Sequence, residues 1–177
     1  PGRRIPRDRL MARVWQIYLV RHGLAEARGS EWPDDRKRPL TGEGVKQVRR
    51  VGRGLSRLDV VPDVILTSPL VRARQTADVL ANAFDPEPPV LEVESLVPDM
   101  PIAALYADLV KHARRSRIAL VGHEPDLGEL AGRLAGLRRR LAFRKGAVCR
   151  IDVNALPPDH AGALRWFVTP GILKRVG

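Results

Sequence analysis

The sequence has few cysteines, few aromatic residues and no long apolar run, and each shortage excludes a class of protein. The single cysteine, Cys149, cannot form an internal disulfide, and we interpret it as a small buried hydrophobic residue rather than a nucleophile. This cysteine usage predicts a reducing, cytoplasmic location. No stretch reaches the roughly 20 apolar residues that a membrane-spanning helix needs, so we expect no membrane partner.

The charge is strongly positive but is carried almost entirely by arginine. The net charge is +11, and only five of the 31 basic residues are lysines. A basic chain raises nucleic acid as a partner. The aromatic content of 5% is too sparse for base-stacking platforms, and the clusters Arg114–Arg115 and Arg138–Arg140 are interpreted as solvated faces. We therefore expect no nucleic-acid partner.

The length of 177 residues predicts one domain with a sizeable core. We assign residues 14–177 to that domain and residues 1–13 to an N-terminal extension, either native or added for expression. The first ten residues are basic and lack the hydrophobic centre of a signal peptide, and Met11 is a candidate start. We expect a monomer, although the sequence leaves the oligomeric state open.

Apolar runs alternate with helical patterns, which is typical of an α/β protein with a largely parallel sheet. Thr41 is a predicted N-cap for a helix to about residue 58, and Ser68-Pro69 marks the start of a second helix. Further helices are predicted at about 101–113 and from about residue 125. Strands are predicted at about 15–20, 64–67, 90–93, 118–121, 146–153 and 163–168.

Two of these strands end in a histidine beside groups suited to an anion. The first apolar run ends in Arg21-His22-Gly23, and the run at 118–121 ends in Gly122-His123. The segment after the strand at 64–67 places Arg72 in the first turn of a helix. The carboxyl ends of parallel strands and the N-termini of the following helices meet at one edge of a sheet, where they favour a bound anion. The pattern predicts a phosphate-handling enzyme.

Four motifs in order carry a resemblance to a known family. They are Arg-His-Gly at 21–23, Leu-Thr-x-x-Gly at 40–44, Ser-Pro-Leu-x-Arg-Ala-x-Gln-Thr-Ala at 68–77, and Gly-His at 122–123. Together they resemble the histidine phosphatase (phosphoglycerate mutase-like) superfamily. The small size of the chain and the sequence Gly-His-Glu-Pro are most similar to the compact SixA-type phosphohistidine phosphatases of this superfamily. The resemblance covers residues 14–173 and implies a three-layer α/β/α sandwich with a mixed, mostly parallel sheet.

The resemblance also implies a role for each motif residue. His22 would be the nucleophile that forms a phosphohistidine intermediate, and a neutral imidazole suits this role. Arg21 and Arg72 would bind the phosphoryl oxygens, to which His123 would also donate, whereas Arg74 is expected to be an exposed helix cation. No metal-ligand spacing is present, so we expect neither a metal nor another cofactor.

The general acid is not identified by any motif. Larger family members use a glutamate in the region after the arginine helix, where this chain has Glu92, Glu94 and Asp99. Each of the three is more simply explained as a capping, paired or solvent-facing residue. A leaving imidazole demands an acid less than an alkoxide does.

Only 51 positions separate Arg72 from His123, too few for the helical insertion that covers substrates in the mutases. The sequence therefore favours phosphohistidine in a protein as the substrate. The alternatives are a small phosphorylated molecule, as for a phosphomonoesterase or, less favoured, a mutase. A non-catalytic phospho-binding module is the rival outside enzymes, and the presence of all four motif residues argues against it.

Four further cations have two interpretations. The default interpretation is that these side chains are solvated, and the alternative is that they contact a second anionic group of the substrate. The four are Arg36, Lys37, Arg38 and Lys145.

Overall fold

The computed structural model describes residues 13–176, which form one six-stranded sheet with helices on both faces. The predicted N-terminal extension, apart from Arg13, lies outside these residues, so the domain boundary stays a prediction. The strands are β1 (Trp15–Arg21), β2 (Val64–Thr67), β3 (Val90–Glu92), β4 (Arg117–Gly122), β5 (Val148–Val153) and β6 (Ala163–Val168). The helices are α1 (Gly42–Arg57), α2 (Val71–Ala81), α3 (Ile102–Lys111), α4 (Asp126–Leu134) and α5 (Pro170–Val176).

The strand order is β3-β2-β4-β1-β5-β6. The first four strands of that order run parallel, and β5 and β6 are antiparallel to their neighbours. The predicted mixed, mostly parallel sheet is therefore confirmed. Its register places Arg21 beside Gly122 and Thr67 beside Val121, so the ends of β1, β2 and β4 meet at one edge.

Two apolar cores lie on opposite faces of the sheet, and together they confirm the three-layer sandwich. Alternate strand residues point to each face, with Ile17 and Leu19 of β1 in one core and Tyr18 and Val20 in the other. Helices α3 and α4 cover the first face, and α1, α2 and α5 cover the second. The central strands are buried on both sides, as expected of parallel strands between helices.

Several element ends differ from the sequence predictions. Helix α2 begins at Val71, because Ser68 and Pro69 form a turn in which the Ser68 hydroxyl accepts from the Leu70 N–H at 3.3 Å. Strand β5 begins at Val148 rather than 146, since Gly146 turns the chain with a φ of +77°. Helix α5 and short 3₁₀ turns at Asp35–Lys37 and Glu94–Leu96 were not predicted.

Thr41 caps α1 as predicted, its Oγ1 accepting from the Gly44 N–H at 2.9 Å. Gly44 is required there, because a Cβ would lie 1.9 Å from the Leu24 carbonyl oxygen. The Leu-Thr-x-x-Gly motif therefore packs the start of α1 directly against the loop that follows β1.

Cys149 is fully buried in β5 and unpaired, and burial raises the pKa of its thiol to about 12. It is a core residue, as the sequence predicted. No helix within residues 13–176 combines the length and apolar character needed to cross a membrane.

Candidate active site

A cavity of about 760 Å³ opens at the carboxyl edge of the parallel strands. Its lining includes all four residues predicted from the motifs: Arg21, His22, Arg72 and His123. The end of β1 supplies the first two, the first turn of α2 supplies Arg72, and the residue after β4 is His123. The fold thus brings together residues that are distant along the chain.

His22 is held by the backbone on both sides. Its N–H donates to the Gly122 carbonyl at 3.2 Å, which continues the ladder between β1 and β4. Its ring Nδ1 lies 2.8 Å from the Gly23 carbonyl oxygen. A carbonyl can only accept, so Nδ1 carries the proton and Nε2 has a free lone pair. In this tautomer Nε2 is the ring nitrogen with a lone pair available to attack an electrophile.

Burial lowers the pKa of His22 to about 3. The bond to the Gly23 carbonyl works in the opposite direction, but the nearby positive charges of Arg72, Arg21 and Lys145 lower the pKa further. The ring is therefore neutral at cellular pH, as a nucleophile must be.

His123 lies beside His22, with the two ring centroids 5.2 Å apart. Its Nε2 is 2.9 Å from the Ser68 hydroxyl, a partner that sequence reasoning did not identify. Its Nδ1 is buried and has no hydrogen-bond partner among the described residues. Burial, followed by the neighbouring His22 and Arg72, lowers the pKa of His123 to about 3. When Ser68 donates to Nε2, the Nδ1–H is left as a donor for a bound oxyanion.

The guanidinium groups of Arg21 and Arg72 are both held by hydrogen bonds from their Nη atoms. Arg21 donates from Nη1 to the Phe143 carbonyl at 2.6 Å. Arg72 donates from Nη1 to the Asp35 carbonyl at 2.7 Å and from Nη2 to the Asp35 carboxylate at 2.9 Å. The Nε atoms of both arginines are buried without a partner in residues 13–176. These two nitrogens and Nδ1 of His123 are donors available to an anion.

Asp35 joins three arginines and was not predicted as a site residue. Besides Arg72, its carboxylate accepts from Arg38 Nε at 2.9 Å and Arg28 Nε at 3.2 Å. These charges hold the pKa of Asp35 below its usual range, although burial alone would raise it. No spacing rule marks this aspartate in the sequence, because its partners come from two loop positions and a helix.

Arg38 is 7% exposed and lines the cavity, so its default interpretation as a solvated cation is wrong. Its Nη1 donates to the Glu26 carbonyl at 2.7 Å. Arg36 and Lys37 are exposed, in agreement with that default.

Lys145 also lines the cavity and is only half-exposed. It forms no ion pair with any residue that the structure describes. Burial lowers the pKa of its ammonium, and Arg21, Arg38 and Arg72 lower it further. The cavity therefore holds a cation whose charge is not balanced by a paired carboxylate.

The three candidate acids are placed differently. Asp99 lines the cavity, where it follows Pro98 in the loop before α3. Glu94 lies outside the lining, 3.5 Å from Arg36, and Glu92 pairs with Arg74 at 3.3 Å. This geometry retains Asp99 alone as a candidate and explains the other two as surface ion-pair residues.

Glu124 is a further carboxylate in the cavity lining, where burial raises its pKa. Its Oε1 accepts from the Phe143 N–H at 3.4 Å, and Phe143 in turn accepts from Arg21. Glu124 thus supports the segment that holds Arg21. Its place directly after His123, in the run Gly-His-Glu-Pro at 122–125, was the signal that could have identified it.

Within the described part of the chain, no group of three or more His, Cys, Asp or Glu side chains is arranged to hold a metal ion. The chemistry that the cavity itself offers is that of a neutral imidazole nucleophile surrounded by donors for an oxyanion.

Comparisons with known proteins agree with this geometry. The family model described as the histidine phosphatase superfamily (branch 1) matches residues 17–96. The chain is 41% identical over 123 residues to an uncharacterised protein of Picosynechococcus sp., covering 68% of this chain and 73% of that protein. It is 30% identical over 144 residues to the phosphohistidine phosphatase SixA homolog of Haemophilus influenzae, covering 76% and 86% respectively.

Among solved structures, the fold is similar to that of the protein histidine phosphatase SixA complexed with tungstate. The TM-score is 0.78 at 22% sequence identity, and the match covers 90% of this chain and 99% of that one.

Proposed function

Because this chain belongs to the histidine phosphatase superfamily, we propose that it is a phosphatase that forms a covalent phosphohistidine on His22. The substrate that we propose is phosphohistidine in a protein. The observation that carries the proposal is the hydrogen bond from His22 Nδ1 to the Gly23 carbonyl, which leaves Nε2 as a neutral nucleophile among unpartnered donors.

In the first step, the lone pair of His22 Nε2 attacks phosphorus as the bond from phosphorus to the leaving nitrogen breaks. The leaving imidazole carries a proton on its other ring nitrogen, so it takes the bonding electron pair and departs as a neutral ring. Arg21, Arg72 and His123 donate to the phosphoryl oxygens and stabilise the charge that spreads over them in the transition state.

In the second step, water attacks phosphorus and the bond to Nε2 breaks. The electron pair returns to Nε2, both protons of the water stay on the inorganic phosphate that is released, and the enzyme is free again. Because burial and then the nearby positive charges keep the pKa of His22 low, Nε2 stays unprotonated after release and the ring is again neutral.

Two features support a protein substrate. The cavity is open, and α3, the helix that lies between α2 and β4 along the chain, contributes no residue to its lining. A phosphorylated imidazole on a protein surface also needs little help from an acid, since imidazole is a better leaving group than an alkoxide. The cytoplasmic location and monomeric state predicted from the sequence stay predictions.

A substrate panel tests this proposal. We expect kcat/KM for a phosphohistidine peptide to exceed that for phosphoserine peptides and sugar phosphates by about tenfold or more. The His22→Ala variant should be inactive on all three. A preference for a sugar phosphate or for phosphoserine would reject phosphohistidine as the substrate.

A small-molecule phosphomonoesterase is the second candidate, favoured by the position of Asp99 in the cavity lining. An alkoxide leaving group requires a proton, which a carboxylic acid at this position could donate. For this function, Asp99→Asn should lower kcat on phosphoesters about tenfold and leave phosphoramidate hydrolysis within about twofold. An equal loss on both substrate types would remove Asp99 as a general acid.

A further inference from the structure

A basic segment borders the cavity on the side of β5. Residues 137–145, here named the basic rim, read Leu-Arg-Arg-Arg-Leu-Ala-Phe-Arg-Lys. The nine residues include five cations and no acidic residue. Sequence reasoning interpreted the arginine cluster at its start as an ordinary solvated face.

The rim is fixed in position although it has no regular secondary structure. The Leu137 N–H donates to the Gly132 carbonyl at 2.8 Å, and the Leu141 N–H donates to the Gly128 carbonyl at 3.1 Å. A Cβ on Gly132 would lie 2.9 Å from the Arg139 carbonyl oxygen, so the rim lies directly on α4. A segment held in this way loses little backbone conformational entropy on binding.

The far end of the rim is part of the active site. The Phe143 carbonyl accepts from Arg21, and Lys145 lines the cavity. Arg140 lies 3.9 Å from Glu124, which is also in the lining. A macromolecule whose phosphoryl group reaches His22 would therefore meet the rim with the surface around that group.

The remaining arginines of the rim are exposed and uncompensated. Arg138, Arg139 and Arg144 are exposed, and none forms an ion pair with a residue in the described part of the chain. Arg133 on the adjoining turn of α4 shares both properties. Glu124 is the acidic residue that pairs with the rim in the described part of the chain, whereas the Asp126 carboxylate accepts from the Asp99 N–H at 3.1 Å.

We propose that the basic rim docks an acidic protein surface that surrounds the phosphorylated histidine of the substrate. This inference rests on the proposed function and adds to it the charge of the substrate protein. Complementary charge speeds the encounter between two proteins and selects among partners more than it strengthens the final complex. The rim therefore acts on kcat/KM rather than on kcat.

Three synthetic peptides test the charge requirement. Each carries one phosphohistidine, and they differ only in whether the flanking residues are glutamates, glutamines or lysines. We expect kcat/KM to decrease in that order, with about a tenfold span at low salt that narrows as salt is added. Phosphoramidate, which has no flanking residues, measures the basal activity.

A pair of matched variants assigns the effect to the rim. Arg138→Glu/Arg139→Glu should abolish or invert the order of the three peptides and leave phosphoramidate hydrolysis unchanged. Arg49→Glu/Arg53→Glu changes the charge equally at two exposed arginines of α1 outside the cavity lining, and it should retain the wild-type order. The milder variant Arg138→Gln/Arg139→Gln should give a difference in kcat/KM among the three peptides that lies between those of the wild type and the glutamate variant.

Three results would overturn the proposal. The first is a wild-type order of peptides in the rim variant. The second is inhibition of the wild type by single-stranded DNA or anionic vesicles that exceeds inhibition by the glutamate peptide, because the rim would then bind another polyanion. The third is hydrolysis of phosphoserine or sugar phosphates with none of any phosphohistidine peptide, which would reject the proposed function itself.

Discussion

The two edges of the parallel strands use the same residue types in opposite ways. At the amino-terminal edge, Asp63 accepts from both Nε and Nη2 of Arg117, at 3.0 and 2.7 Å. Asp152 likewise accepts from Arg150 and Arg165, both at 2.8 Å. Each carboxylate at this edge is surrounded by donors. Burial alone would raise the pKa of Asp63 and of Asp152, but the hydrogen bonds from these arginines hold both below their usual range.

At the carboxyl edge, the cations outnumber their partners. Within residues 13–176, Arg21 donates only to a carbonyl and Lys145 forms no ion pair, while Arg72 shares Asp35 with two other arginines. Such an arrangement is costly in the absence of an anion, whereas the pairs at the other edge are complete without one. The arginines at the amino-terminal edge have complete partners within the fold, whereas those at the carboxyl edge leave positive charge for the proposed substrate.

Substituting one arginine at each edge should separate activity from stability. Arg72→Ala removes a proposed donor to the transferred phosphoryl group, so we expect kcat/KM to fall roughly a hundredfold, about 3 kcal/mol of transition-state stabilisation. Arg117→Ala should leave kcat/KM within about twofold and lower the free energy of unfolding by about 1 to 2 kcal/mol. Steady-state kinetics and urea denaturation measure the two effects. Unchanged kcat/KM in Arg72→Ala would remove this arginine from the site.

Substituting one aspartate at each edge tests whether Asp35 is a positioning residue. Asp35→Ala should leave Arg72 with a mobile guanidinium and lower kcat about tenfold. KM should not increase, because the substitution removes negative charge from an anion site. Asp152→Ala provides the matched control, in which stability decreases and kcat does not. A rise in KM with constant kcat in Asp35→Ala would show that this carboxylate contacts the substrate instead.

Titration of the two site histidines gives the smallest expected change and tests the electrostatics of the carboxyl edge. With pKa values of about 3, His22 and His123 should be only about 1% protonated at pH 5, where an ordinary imidazole would be roughly 97% protonated. Their NMR ring signals should therefore keep the neutral form between pH 8 and about pH 5. A midpoint near the ordinary value for His22 would mean that its ring is neither desolvated nor surrounded by uncompensated positive charge.

The sequence was sufficient to predict the elements that carry strong periodic patterns. Strands β2 and β6 have the predicted bounds, and Thr41 is the N-cap that its position before a helical pattern indicated. The motifs at strand ends were sufficient to predict which residues line one cavity, because parallel strands bring their carboxyl ends to one edge of the sheet. Arg21, His22 and His123 therefore share a cavity as a direct result of topology.

The residues whose roles sequence reasoning missed or left open depend on loop conformation. Asp35 and Arg38 lie in a loop whose path is set by a short 3₁₀ turn, and no periodic pattern marks which of its charges is buried. Ser68 contacts His123 through a turn that sequence reasoning assigned to the start of α2. The contacts of Asp35 with Arg72 and of Ser68 with His123 join residues 37 and 55 positions apart in the chain.

The position of the covalent phosphoryl group tests the account most directly. The protein is incubated briefly with labelled phosphoramidate, quenched in base and digested, and the labelled peptide is identified. We predict acid-labile, base-stable label on the peptide that contains His22, lost on chase with water and absent from His22→Ala. Label that persists in His22→Ala, or that lies on His123, would contradict the assignment of the nucleophile.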